Sequence, residues 1–212
     1  MRSNRLLTAL LCGALLGACG CQAGVMIGRI LFGDPEIRPP FEVQTGVRLP
    51  EQEEDVRVVC TCPSQLSGDF GTLNIDLPEE VLRGLKKKGV PVGNVERALG
   101  RLDDLGGRFD PRKLAAEYED GYLIHLDVER FTMREPGSNL YRGRAEGTLR
   151  AYAVTDEGPR EVFVRNFKST YPNGHPVPSE SVPEQQFRRK FVRHVAAEVG
   201  RQLVRYRSSE TF

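Results

Sequence analysis

The sequence predicts an α+β fold: a mixed, mainly antiparallel sheet of about four to five strands, with helices packed on one main face. Long segments that alternate apolar and polar residues follow one another from Tyr122 to Tyr171, a pattern typical of neighbouring β-strands. The stretch after Pro183 carries an apolar residue at every fourth position, which predicts an amphipathic helix. Together with shorter segments before them, these elements give the order β-α-β-α-α-β-β-β-α.

The first half of the predicted domain alternates short strands with helices. The predicted elements are strands at 56–62 and 90–92 and helices at 76–88, 94–105 and 111–118. Asp76 can cap the first of these helices and Pro78 fits its first turn, whereas Gly89 ends it. Pro91 lacks the backbone N–H that a central strand donates, so its short strand is expected at an edge of the sheet.

The second half is predicted to be three long strands followed by one long helix. The strands are expected at 122–129, 141–153 and 161–171, and clusters of turn-forming residues separate them. One face of the middle strand is small, with Gly143, Ala145 and Gly147 at alternate positions, which suits close packing of a helix. The last helix begins at Glu184, and its apolar stripe extends to Leu203.

The first residues of the chain have the composition of a secretory signal. Arg2 and Arg5 supply positive charge, and Leu6–Leu16 form an apolar run. This run is too short to cross a bilayer as a helix, which takes about 20 apolar residues. An apolar residue and two small ones then precede a cysteine, in the order Leu16–Cys19.

The segment Leu16–Cys19 resembles the lipobox of bacterial lipoproteins. That resemblance implies cleavage before Cys19, thioether attachment of a diacylglycerol to its sulfur, and acylation, typically with palmitate, of the new amine. The alternatives are an ordinary secreted protein cleaved near Ala18 or Ala23, or an uncleaved signal anchor. Gly20 follows the cysteine where an aspartate would indicate retention in the inner membrane, so the outer membrane, facing the periplasm, is favoured.

These features predict four regions along the chain. They are a signal peptide at 1–18, a lipidated proline-rich tether at 19–54, a globular domain at 55–207 and a C-terminal tail at 208–212. The tether is inferred from four prolines and several glycines, which disfavour a regular helix. Within it, Val25–Phe32 is apolar enough either to lie on a membrane or partner or to pack on the domain.

Composition narrows the classes of function and ligand. The chain has 30 basic and 29 acidic residues, a balance that does not predict nucleic-acid binding. No cofactor motif or cluster of metal ligands is evident, so no cofactor and no metal are predicted. Cys60 and Cys62 are expected on one face of a strand, too far apart for an easy disulfide with each other. Each is left either as a small thiol or as a partner for Cys21.

A second resemblance rests on the segment Lys113–Glu129, which reads KLAAEYEDGYLIHLDVE. It is similar to the junction of helix, turn and strand in a group of envelope lipoproteins. The group includes the lipopolysaccharide-assembly lipoprotein LptE, auxiliary lipoproteins of ABC-type transporters, and the curli-secretion lipoprotein CsgG with the related N-terminal domain of TolB. The similarity of architecture spans residues 55–206 and implies an accessory role in envelope assembly or transport. It transfers no binding residue to this chain.

Candidate site residues fall into two sets. His125, Asp127 and Glu129 share the polar face of one predicted strand, where they could form a general base with its orienting carboxylate. A solvated sheet face explains the same pattern, so no catalytic residue is assigned. The second set is a surface for an anionic ligand or an acidic partner, made of arginines on one strand and on the last helix: Arg142, Arg144, Arg150, Arg188, Arg189 and Arg193.

The sequence therefore predicts a non-enzymatic, membrane-anchored lipoprotein of the cell envelope. It would act as an accessory or assembly factor for a transport, secretion or outer-membrane biogenesis system. Its expected partners are the membrane, through lipid on Cys19, and an envelope protein. The alternatives are a self-associating structural protein, which would make the chain a homo-oligomer, and a periplasmic hydrolase or transferase that uses His125, Asp127 and Glu129.

Overall fold

The computed structural model describes residues 34–63, 65–66, 70–116, 118, 120–207 and 209. In chain order the strands are β1 (Glu36–Ile37), β2 (Val56–Thr61), β3 (Gly121–Arg134), β4 (Leu140–Thr155), β5 (Gly158–Tyr171), β6 (Val177–Pro178) and β7 (Tyr206–Arg207). The helices are α1 (Pro40–Thr45), α2 (Leu73–Lys87), α3 (Val95–Asp104), α4 (Pro111–Ala115) and α5 (Glu184–Leu203), and a 3-10 turn spans Leu49–Glu51.

The described chain divides into two compact units. The larger unit runs from Arg38 to Arg205. It contains all the buried residues of the two hydrophobic clusters of the described chain, a main core and a smaller cluster. The smaller unit is the antiparallel pair of β1 and β7, in which the backbone N–H of Ser209 donates to the Asp34 carboxylate at 2.7 Å. Because the larger unit encloses its own core, it is the part of the chain that can be tested as an isolated domain.

The larger unit is built on a five-stranded mixed sheet, which confirms the predicted α+β class. The strand order is β2-β3-β4-β5, and β6 pairs with the first two residues of β4. β2 runs parallel to β3, and the remaining pairs are antiparallel. The three long predicted strands are therefore present; β3 ends five residues later than predicted, β5 begins three residues earlier, and β4 is longer by one residue at its start and two at its end.

Helices α1, α2 and α5 pack on one face of this sheet and form the main core. Alternate residues of β2 and β3 point into that core, among them Val58, Cys60 and Ile124. Val59 and Leu123, which point to the other face, instead meet a small cluster under α3 and α4. The helices thus share one main face as predicted, and a two-helix cap covers part of the opposite face.

The N-terminal boundary of the folded unit differs from the prediction. Residues 38–54, expected to belong to a tether, lie in the larger unit. Phe41 and Leu49 are both 0 % exposed, and the Phe41 ring meets the rings of Tyr122 and Phe163 edge-on at 5.9 and 5.6 Å. Pro40 opens α1 because a proline at the first helical position has no N–H to satisfy.

The signal peptide, Cys19, Cys21 and the tail from 210 to 212 lie outside the described residues. The predictions made for them stay predictions. Among the residues that the structure does describe, no helix combines the length and apolarity needed to span a bilayer.

Candidate functional site

The long middle strand β4 presents a different surface on each side of the sheet. Its small residues face α5, and a Cβ atom built on Gly143 would lie only 2.6 Å from the Phe191 ring. The alternate positions of the same strand carry Arg142, Arg144 and Arg150 on the opposite, polar face of the sheet. The predicted division of this strand into a helix-packing face and an arginine-bearing face is therefore present.

The three arginines of β4 each have carboxylate partners within the chain. Glu135, in the turn after β3, lies 2.8 Å from the Arg144 guanidinium and 3.6 Å from that of Arg142. Arg150 lies between Asp127 of β3 and Glu161 of β5, at 3.5 and 3.9 Å. These partners sit on neighbouring strands and turns, so the arginines stabilise the sheet surface across its strands.

The polar sheet face carries charges of both signs. On β3, β4, β5 and the turn after β3, the cations and carboxylates of this face are equal in number: Arg130, Arg142, Arg144, Arg150 and Lys168 against Asp127, Glu129, Glu135, Glu146 and Glu161. Glu146 joins the ladder by contacting both Arg130, at 3.4 Å, and Lys168, at 2.9 Å. These carboxylates offset much of the arginine charge, which weakens the long-range attraction that this face exerts on an anion.

His125 is buried, although the sequence predicts it on a polar face. It is 3 % exposed, and its ring stacks on that of Phe109 with centroids 3.6 Å apart and planes 2° from parallel. Phe109 comes from the connection between α3 and α4, so the two-helix cap covers the histidine. The edge of the imidazole is fixed by Thr61 of β2, whose Oγ1 lies 2.7 Å from Nε2.

The hydrogen bonds around His125 specify one tautomer. The Thr61 hydroxyl donates to the Asp127 carboxylate at 3.3 Å, so Nε2–H of the imidazole donates to the Thr61 oxygen. Nδ1 is then the unprotonated nitrogen, and it is buried without a hydrogen-bond partner among the described residues. The pKa of His125 is lowered from 6.5 to about 4. Burial is the largest cause; Asp127 opposes the shift, and Arg150 adds to it.

The three residues considered for catalysis do not assemble into an acid–base site. Asp127 reaches His125 through Thr61, whereas the Glu129 carboxylate accepts instead from the Thr148 hydroxyl at 3.2 Å. The Nδ1 atom of His125 is buried without a hydrogen-bond partner among the described residues, and the whole side chain is only 3 % exposed, so a substrate proton cannot reach it in this structure. A general base must come within hydrogen-bond reach of its substrate, and this arrangement prevents that.

The thiols and the remaining titratable groups add no metal site. Cys60 is fully buried, and burial raises the pKa of its thiol well above the ordinary value. Cys60 is a free thiol in the structure. Within the described part of the chain, no group of three or more His, Cys, Asp or Glu side chains could hold a metal ion.

The three arginines of α5 that were predicted as a binding surface have different environments in the structure. The Arg188 guanidinium donates to the backbone oxygen of Phe70, to Thr72 Oγ1 and to the Asp76 carboxylate, at 2.9, 2.8 and 2.7 Å. It therefore joins α5 to the start of α2. Arg189 and Arg193 are exposed and form no ion pair with a described residue.

The sequence prediction missed the cations that accompany these two arginines. We define the cationic helix face as the exposed lysine and arginine side chains of α2 and α5 that lack an ion-pair partner among the described residues. They are Lys86, Lys87, Arg189, Lys190 and Arg193. Lys86 and Lys87 had a sequence signal, but it was interpreted only as the end of a helix. Their position beside the last helix depends on α2 and α5 packing side by side, as the Arg188–Asp76 contact requires.

Comparisons with known proteins return structural neighbours only. No protein-family model matches the chain, and no curated protein matches it. A PelC dodecamer from Paraburkholderia phytofirmans is 10 % identical, with 80 % of this chain and 97 % of that chain covered and a TM-score of 0.43. The hypothetical protein CT253 from Chlamydia trachomatis is 11 % identical, with 71 % and 98 % covered and a TM-score of 0.41.

Some of the neighbours are bacterial lipoproteins. Lipoprotein GNA1162 from Neisseria meningitidis, for example, is 13 % identical, with 69 % of this chain and 97 % of that chain covered and a TM-score of 0.39. Similarity at this level identifies no function for the chain, so the function has to be argued from the chain's own residues.

Proposed function

We propose that this chain is a lipoprotein of the bacterial cell envelope, anchored by acyl chains on Cys19, whose folded domain serves as a non-enzymatic accessory or assembly factor. The observation that carries the proposal is the order of its first residues: two arginines, an apolar run and then Leu16–Cys19. The domain faces the periplasm, and the outer membrane is favoured because Gly20 follows the cysteine.

Two or three acyl chains would be enough to hold the protein on a membrane. Each buried methylene contributes about 0.8 kcal/mol, and stable anchoring takes more than one chain. None of the helices among the described residues is long and apolar enough to span a bilayer. We assign membrane attachment to the lipidated N-terminus because Leu16–Cys19 resembles a lipobox.

The arrangement around His125 supports a binding role over a catalytic one. The imidazole is neutral, lies under Phe109 and has its Nε2 engaged by Thr61. The carboxylates nearest the sheet arginines are occupied by ion pairs. We therefore place the activity of the domain in its surfaces, through which it would engage an envelope protein of a transport, secretion or outer-membrane biogenesis system.

Lipidation is tested by labelling cells with radioactive palmitate and following the immunoprecipitated protein. We expect label in the native chain and in Cys21→Ala, and none in Cys19→Ala. Cys21→Ala is the matched control, because it removes a cysteine two positions away and leaves Leu16–Cys19 intact. Label that persists in Cys19→Ala would exclude Cys19 as the acceptor and overturn the proposal.

The accessory role is tested by crosslinking the lipidated, tagged protein in membranes and identifying what copurifies. A stoichiometric transport, secretion or assembly component is the expected result, and it would name the pathway. Recovery of the chain crosslinked only to itself would favour a self-associating structural protein instead. Density fractionation of the same membranes distinguishes the outer from the inner membrane.

A further inference from the structure

The two faces of the larger unit differ in whether their basic side chains form ion pairs with carboxylates of this chain. On the polar sheet face, Arg142, Arg144 and Arg150 all contact carboxylates of this chain. On the cationic helix face, the lysines and arginines have no ion-pair partner among the described residues. Its residues are in the last turn of α2 and along the exposed side of α5.

The three cations of α5 lie on one side of that helix. Arg189 and Arg193 are four residues apart on α5, and Lys190 is three residues before Arg193, so all three share one side of the helix. The opposite side of α5 is occupied by Phe187, Phe191 and other buried residues of the core. The cations therefore point away from the sheet, towards solvent.

Few carboxylates oppose this charge. Glu80 is paired with Arg83 at 2.6 Å, and Asp76 is held by Arg188. Glu79 is exposed beside them at the start of the patch. Glu79 lies beside Arg189, and the five cations of the cationic helix face outnumber it, so their charge is available to an external anion.

We propose that the cationic helix face docks on the anionic lipid headgroups of the membrane to which the chain is anchored. This inference rests on the proposed function, because a lipidated N-terminus keeps the domain beside a bilayer. Flexible lysine and arginine side chains on an exposed helix suit a surface of many mobile headgroups. Mobile headgroups can adjust to the positions of these cations, whereas the carboxylates of a folded acidic protein have fixed positions that the cations would have to match. Each basic residue near an anionic leaflet contributes about 1 kcal/mol, and the attraction falls off within a Debye length.

The test uses the chain from Asp34 to Arg207, which includes the whole larger unit and lacks Cys19. Its binding is measured by cosedimentation with vesicles of phosphatidylcholine alone and with vesicles that also contain phosphatidylglycerol. We expect binding that requires phosphatidylglycerol and disappears at high salt. Lys190→Gln with Arg193→Gln should weaken this binding about 30-fold, since two charges are removed.

Arg108→Gln with Arg112→Gln is the charge-matched control. Both arginines are exposed, have no ion-pair partner among the described residues, and belong to the α3–α4 cap on the opposite side of the sheet. This pair should leave vesicle binding within about twofold of the native value, because its charges lie more than a Debye length from a membrane on the helix side. An equal loss with both pairs would show that net charge alone drives binding, which would overturn the proposed surface.

Absence of binding to phosphatidylglycerol vesicles would also overturn the proposal and would leave an acidic protein as the partner of this face. Neither result depends on lipidation, because the tested chain has no lipid acceptor at position 19. A failure of palmitate labelling and a failure of vesicle binding are therefore distinguishable.

Discussion

His125 is a neutral imidazole enclosed between Phe109 and Thr61, and the folded chain excludes its charged form. The pKa of His125 is about 4 in the fold against an ordinary 6.5, so the unfolded chain binds more protons between these values. The stabilising effect of keeping this residue neutral is complete above pH 6.5 and is lost as the pH falls towards 4. The full loss is about 3 kcal/mol, of which about 2 kcal/mol is already gone at pH 5.

This predicts that urea unfolding of the native chain shows falling stability from pH 7 to pH 5, and that His125→Phe has a flatter dependence. The variant loses the Thr61 hydrogen bond, so at pH 7 it should be less stable by about 1 kcal/mol. His175→Gln is the control, because His175 is exposed and its removal should leave the pH dependence as it is. An unchanged slope in His125→Phe would show that another group titrates.

The residues that sequence analysis misplaced are those whose environment comes from distant parts of the chain. Alternation along β3 put His125 on the polar face correctly, but Phe109 covers it from a connection that follows α3. The arginines of β4 were found, whereas their partners Glu135 and Glu161 lie in a turn and on the next strand. Period and composition carry no information on such cross-strand contacts.

β4 and α5 approach each other closely at Gly143. A methyl group there would meet the Phe191 ring, and Phe191 is itself fully buried, so neither side can yield without disturbing the core. We expect Gly143→Ala to lower the free energy of unfolding by about 1–3 kcal/mol. Denaturant unfolding of the purified domain measures this directly.

Gly84→Ala is the matched comparison for that substitution. Gly84 lies inside α2 with nothing within 4 Å of the added methyl, so the change should raise stability by about 1 kcal/mol through helix propensity. If both substitutions shifted stability in the same direction, the proposed close contact between β4 and α5 would be wrong.

Helix boundaries show what local sequence signals can and cannot decide. The apolar stripe of α5 predicted its full length, because one periodic face packs on the sheet throughout. α2 begins at Leu73, three residues before the predicted cap, and Pro78 lies inside it and is buried. α1 was missed because two prolines and a single large apolar residue resemble a linker until Phe41 is seen in the core.

At the scale of the whole molecule, the segment 38–54 is part of the fold. Besides burying Phe41 and Leu49, it supplies Glu42, whose carboxylate pairs with the Arg205 guanidinium at the end of α5. A chain that starts at Asp55 and ends at Arg207 should therefore be less stable than one that starts at Asp34, by more than about 3 kcal/mol. Thermal unfolding of the two chains measures the difference.

The substitution Phe41→Ala in the longer chain separates the effect of this one side chain from that of the segment. It should lower stability by about 3 kcal/mol or more, because a fully buried aromatic ring is removed. Equal stability of the two truncated chains, or a neutral Phe41→Ala, would restore the boundary at Asp55 that composition alone predicts.

If Cys19 carries lipid as proposed, the docking of α1 also limits how far the domain can travel from that anchor. With lipid on Cys19, the 18 residues from Gly20 to Ile37 separate the anchor from the larger unit, where a tether ending at Glu54 would have offered 35. Bond lengths limit the shorter span to about 60 Å and the longer to about 115 Å. The volume within reach is therefore about sevenfold smaller, and a partner inside it meets the domain at an effective concentration of a few mM, by about the same factor higher.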